Sequence, residues 1–106
     1  MPYLNQVILL GHAGGEPKIQ FSKDGNTKIA KFSLATSEKY KDKEETQWHN
    51  IVCFAHNADF VEKYLHKGGL VEVVGTVKYS QYDKEGTTIY RTDIVADKVL
   101  VLGSKQ

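Results

Sequence analysis

The sequence predicts an all-β domain: a five-stranded Greek-key barrel with one α-helix between strands 3 and 4. Three observations predict it. Apolar residues alternate at period two over most of the chain, the signature of half-buried strands. Only one stretch carries helical spacing. The chain has 106 residues with 41% apolar and 25% charged content, enough for one modest core and no more.

Val7 to Leu10 is a short apolar run, a strand either buried on both faces or paired with another chain. Gly11, Gly14 and Gly15 then break or bulge it. Pro17 to Phe21 alternates, with Ile19 and Phe21 on one face. Asp24-Gly25 is a hairpin turn signal, because glycine accepts positive φ. Lys28 to Ala35 returns, with Ala30, Phe32 and Leu34 facing one way. Ser37 to Lys43 reads as a lysine-rich loop holding one aromatic, Tyr40. The next strand contains Thr46-Gln47-Trp48-His49-Asn50-Ile51-Val52-Cys53-Phe54. Side chains alternate across a strand, so Trp48, Asn50, Val52 and Phe54 share a side.

Asn57 is the expected N-cap of the helix, since its amide can accept from orphan backbone N–H groups. Ala58, Val61 and Leu65 recur at helical spacing, bordered by Tyr64. Lys63, His66 and Lys67 are assigned to the last turn, and Gly68-Gly69 ends it. Strands resume at Leu70 to Tyr82, turn at Asp83-Lys84-Glu85-Gly86, and return through Thr87 to Leu102. This strand count and helix position correspond to the OB-fold, whose ligands cross the face of strands 2 and 3.

Charge and cysteine content exclude several classes. Lys and Arg total 14 against 13 Asp and Glu, a net charge of +1. Any electropositive surface must therefore come from distribution rather than total, and a nucleic-acid binder of this charge would lean on stacking more than usual. Cys53 is the only cysteine, so no internal disulfide or CxxC site exists, which fits a reducing compartment. No apolar run approaches the ~20 residues of a membrane span, and the first residues lack signal-peptide design. His49 and Cys53 share a strand face but lie about 13 Å apart along the backbone. A Cys–His nucleophile needs roughly 3 Å, so no catalytic pair forms. His12, His56 and His66 lack metal-ligand spacing, so no metal and no cofactor is expected.

Several stretches resemble the bacterial-type single-stranded DNA-binding protein (SSB) family. They are Asn5–Gly11, Phe32–Glu38, Thr46–Phe54, Tyr64–Gly68 and Val73–Gly75, in the family's order and spacing. The resemblance implies base stacking by Trp48 and Phe54 on the third strand, by Tyr40 upstream, and by Tyr82 in the last hairpin. All four positions are aromatic here. Trp48 and Phe54 would be read as core residues if they stood alone, and the motif reverses that reading. Lys31, Lys41, Lys43 and Lys78 are the expected phosphate contacts, with Lys28, Lys67 and Arg91 as further candidates. Tyr79 and Tyr90 are extra rings, either packing or auxiliary stacking. Asn50 stands where the family often has arginine.

The resemblance also implies a homotetramer, with His49 at a subunit interface. Val7 to Leu10, Val7 and Leu9 among them, is too apolar for an exposed edge strand and is expected to pair with the same strand of a second subunit. The expected function is sequence-independent binding and protection of single-stranded DNA in replication, recombination and repair, without catalysis. The expected location is the cytoplasm, around the nucleoid, or an organelle matrix. Residues 1–106 are read as one domain. The family's Gly/Gln/Pro-rich tail with its acidic tip has no counterpart up to Gly103-Ser104-Lys105-Gln106, so tail-mediated protein partners are not expected. Two other readings are a replication-restart accessory protein, discriminated by nanomolar DNA binding, and an OB-fold nuclease, discriminated by survival of bound DNA in Mg²⁺.

Overall fold

The computed structural model describes residues 2–103. These form β1 (Val7–Ala13), β2 (Lys18–Phe21), β3 (Lys28–Tyr40), β4 (Lys43–Phe54), α1 (His56–Tyr64), β5 (Leu70–Lys84) and β6 (Thr87–Gly103). The hydrogen-bonded order is β1-β5-β6-β4-β3-β2, and a further β1–β3 pairing closes the sheet. Five strands thus make the expected barrel. The short β2 is a sixth piece, continuing along the edge of β3 that β1 leaves. β1 pairs there at Ala35 and Leu34, and β2 pairs at Lys31 to Lys28. The β4–β6 seam is parallel and short, Ile51 with Ile94 and Val52 with Val95. The helix lies between the third and fourth barrel strands.

The alternation in the sequence becomes the core. Ala30, Phe32 and Leu34 of β3 meet Ile51 and Cys53 of β4, Val71 and Val73 of β5, and Ile94, Ala96 and Val99 of β6. Ala58, Val61 and Leu65 plug one barrel end, all three fully buried. Each fully buried Val, Leu or Ile contributes about 1.5–3 kcal/mol relative to exposure. No polar or charged residue among the described ones is buried.

The structure corrects several sequence expectations. β1 does not stop at Gly11 but runs through it to Ala13. A Cβ on Gly11 would collide with the Ala35 carbonyl oxygen, so glycine lets β1 press onto β3 where the barrel closes. The lysine-rich segment around Tyr40 is not a loop. It forms the tip of the β3–β4 hairpin, paired in register out to Tyr40 and Lys43. The two-residue turn is Lys41-Asp42, with Lys41 at φ 58°. Neither residue is Gly or Asn, so the usual hairpin signal was missing. In the last hairpin the turn is Glu85-Gly86 alone, with both residues at positive φ.

The helix N-cap is Ala55, not Asn57, and no side chain caps it. Asn57 instead donates its amide to the Ala96 and Asp97 carbonyl oxygens, clamping α1 to β6. The helix ends at Tyr64. Leu65 turns extended while its N–H still bonds Val61, so His66 and Lys67 lie beyond the last turn. Among the described residues, no helix is long and apolar enough to cross a membrane. The expectation about the chain's end at Ser104–Gln106 lies outside the described residues.

Candidate nucleic-acid interface

Residues directly opposed across a sheet point the same way. The β3–β4 register opposes Ala35 to Trp48, Ser33 to Asn50, Lys31 to Val52 and Ile29 to Phe54. These eight side chains therefore share the outer face of the barrel. Lys18 of β2, opposite Lys31, joins them. Phe32, Leu34, Ile51 and Cys53 fill the inner face, which frees Trp48 from core duty. Trp48 is 62% exposed and Phe54 41%, whereas Val52 between them is covered.

Beside Trp48 the face dips into a groove of about 390 Å³. Its floor is Ser33, Asn50 and Val52, and one wall is the turn Gly14-Gly15-Glu16. Lys18, Lys31 and Arg91 bring positive charge to it from three strands. A flat ring beside a cation-lined groove can stack a base and hold the adjoining phosphates.

The two tyrosines fall differently. In the β5–β6 ribbon, Lys78, Ser80 and Tyr82 oppose Asp93, Arg91 and Ile89. Tyr82 and Lys78 thus share a face with Arg91, which reaches the groove. In the β3–β4 ribbon, Tyr40 opposes Lys43, and Thr36 opposes Gln47. That parity sets Tyr40 on the face opposite Trp48, at the exposed hairpin tip. Lys41 sits over the Tyr40 ring, 5.4 Å from its centroid. Lys41 and Lys43 therefore belong to the tip rather than to the groove. Tyr79 and Tyr90 are both exposed, on the reverse face of the last ribbon from Tyr82.

Not every cation is free. Lys28 bonds Asp59 at 2.8 Å and Glu62 at 2.6 Å, and these two carboxylates raise its pKa above the usual lysine value. It staples α1 to β3, with its charge offset by the two carboxylates. Arg91 Nε donates to both Asp93 carboxylate oxygens at 3.0 Å, which orients the guanidinium and offsets part of its charge. Glu16 accepts from the Lys67 N–H and from His66 Nδ1, and these bonds, the backbone one foremost, hold its pKa below the usual carboxylate value. Burial pushes the Cys53 thiol up to about 12, so it stays protonated.

Val7 and Leu9 turn inward and pack against the core, leaving Ile8 and Leu10 exposed on the outer face of β1. His49 is half-buried, its Nε2 2.9 Å from the Thr36 hydroxyl. Sequence reasoning missed Lys18, Gly14 and Glu16. Lys18 carried a signal, since it alternates with Ile19 and so had to face outward. Gly14 and Glu16 carried none, because their neighbours at the site are distant in sequence.

A protein-family model described as the single-strand binding protein family matches residues 4–102. The chain is 37% identical over 113 residues to Single-stranded DNA-binding protein 1 of Xylella fastidiosa (strain 9a5c), covering all of this chain and 82% of that protein. It is 37% identical over 108 residues to Single-stranded DNA-binding protein of Neisseria meningitidis serogroup A, covering 96% of this chain and 62% of that protein. The chain thus spans less than two thirds of the Neisseria protein's length. Among solved structures it resembles a Plasmodium falciparum SSB complex with ssDNA, with a TM-score of 0.86 and 33% identity. That likeness covers 99% of this chain and 98% of the other.

Proposed function

Because this chain belongs to the single-strand binding protein family, we propose that it binds single-stranded DNA without reading its sequence and protects it during replication, recombination and repair. The observation that carries this reading is an exposed indole, Trp48, on the rim of a groove bearing Lys18, Lys31 and Arg91. Bases stack on Trp48 and Phe54, and the strand continues toward Tyr82 along the face that includes Arg91 and Lys78. Tyr40 adds a ring at the hairpin tip, reached only by a strand that rounds the β3–β4 ribbon. The cations neutralise phosphates. Lysine and arginine on a backbone supply charge without a base code, which suits sequence-independent binding. The protein acts by binding alone, with no reaction and no cofactor, and residues 1–106 carry that binding as one domain. Its place of action is the cytoplasm, on exposed strands of the nucleoid.

It works as a homo-oligomer, a tetramer in the fullest form. The edge of β1 from Val7 to Leu10 has no strand on its outer side among the described residues. Ile8 opposes Val74, and Leu10 opposes Glu72, which opposes Leu100. With Lys98 opposite Val74, the outer face carries Ile8, Leu10, Val74 and Leu100 around one acid and one lysine, next to an open strand edge, and a second copy can cover it in a two-fold contact.

The test is a titration with oligo-dT, read by Trp48 emission, with duplex DNA as control. Strong quenching by oligo-dT and little change with duplex is the expected result. An indole that ignores oligo-dT defeats the reading. Sedimentation at micromolar concentration tests the assembly, and a monomer there refutes it.

A further inference from the structure

The turn at the end of β1 lies directly under the Trp48 ring. A Cβ built on Gly14 would stand 2.5 Å from Cζ3 of Trp48 and 3.2 Å from Cη2. Gly14 therefore lets the indole rest against the backbone, where any other side chain would push it away. The backbone there is itself fixed. The Gly14 N–H donates to the Ser33 carbonyl at 2.8 Å, which ties the turn to the groove floor.

The other end of the turn is tied to the segment after α1. Ala13 N–H donates to the Gly69 carbonyl at 3.0 Å, and Gly68 N–H donates to the Ala13 carbonyl at 2.8 Å. Glu16 closes the clasp. One carboxylate oxygen accepts from His66 Nδ1 at 3.1 Å, and the other accepts from the Lys67 backbone N–H. A carboxylate lining a phosphate-binding groove repels its ligand, so its presence there needs a reason. Here its lone pairs serve the clasp.

We propose that Gly14 and Glu16 are positioning residues: Gly14 seats the Trp48 indole in its stacking orientation, and the Glu16 clasp holds that seat. This rests on the reading of Trp48 as a stacking plate. An indole held ready binds with the full intrinsic affinity, whereas one that is competent only part of the time weakens binding in proportion.

The test measures oligo-dT affinity by anisotropy of a labelled oligonucleotide. Gly14→Ala, which moves the ring, should weaken binding about tenfold, the loss expected if the competent orientation falls to a tenth. In a Trp48→Ala background, Gly14→Ala should have no further effect, because it acts only through the indole. A merely structural role would weaken both backgrounds alike, and that result overturns the proposal. So does a Gly14→Ala protein that binds within twofold of the parent.

Glu16 supplies an independent arm should Gly14→Ala fail to fold. Glu16→Gln keeps an acceptor for the Lys67 N–H and removes the negative charge, so it should bind as well as the parent or better. Glu16→Ala removes the same charge and the clasp, and should bind about fivefold more weakly than Glu16→Gln. Equal affinity of the two variants refutes the clasp. Trp48→Ala alone separates the two levels. If it leaves affinity unchanged, the stacking reading fails. If it weakens binding while Gly14→Ala and Glu16→Ala do not, only the seat fails.

Discussion

Replacing Trp48 by alanine separates a stacking plate from a core residue. Trp48 is 62% exposed, so a little over a third of its surface is covered. A fully buried tryptophan hides up to ~250 Å², and apolar burial stabilises by about 25 cal/mol per Å². Trp48→Ala should therefore cost about 2 kcal/mol of stability at most, against a total of roughly 5–15 kcal/mol for a domain. The melting temperature should fall by no more than about 10–15 °C, with the circular dichroism spectrum retained. Binding should suffer by a comparable amount. Loss of one stacked base costs ~1–3 kcal/mol, which raises Kd about 5- to 150-fold. The assay is anisotropy of a labelled oligo-dT, because the variant lacks the indole that reports on the parent. A Kd within twofold of the parent would refute the reasoning. So would a melting loss several times larger than the covered area allows, since the ring would then be a core residue.

Salt should act weakly. With Lys18, Lys31 and Arg91 in the groove, and ~0.7 of an ion released per single-strand phosphate, log K against log salt should slope at about −2 per subunit. Lys31→Ala should flatten it by about 0.7, whereas Lys28→Ala should lower the melting temperature and leave the slope unchanged. Tyr82→Ala should raise Kd more than Tyr40→Ala, because Tyr82 shares the Arg91 face and Tyr40 points to the other side of its ribbon; the two are compared in one titration series. Cys53, buried and with its pKa pushed up to about 12, should resist thiol reagents at pH 8 in the folded protein and react once denatured, as colorimetric thiol titration would register.

What the sequence determined by itself was local or periodic. Alternation over Lys28 to Ala35 and over Thr46 to Phe54 sorted the side chains into two faces before any strand was paired, and the family motif said which face of the second was outer. The alternation left Trp48 and Phe54 on one face. The stripe Ala58, Val61 and Leu65 identified the helix and its buried side. Local chemistry was a poorer guide where the usual cue was absent. Ala55 caps the helix without a polar side chain, and Lys41-Asp42 turns a hairpin without glycine.

Tertiary structure alone decided which charges serve the groove and how the indole is held. Lys28 and Lys31 lie three positions apart on β3, and both were candidates for phosphate contact, Lys31 the stronger. Asp59 and Glu62 of α1 neutralise Lys28, and Lys31 is left to the groove. Lys18 and Arg91 meet there across more than seventy residues of chain. Gly14 lies under Trp48 because β1 ends against β3 when the barrel closes. The physical reason is common to all three. A side chain's direction follows from its own strand, but its neighbours follow from registers and crossings between distant segments, which closure of the barrel sets together.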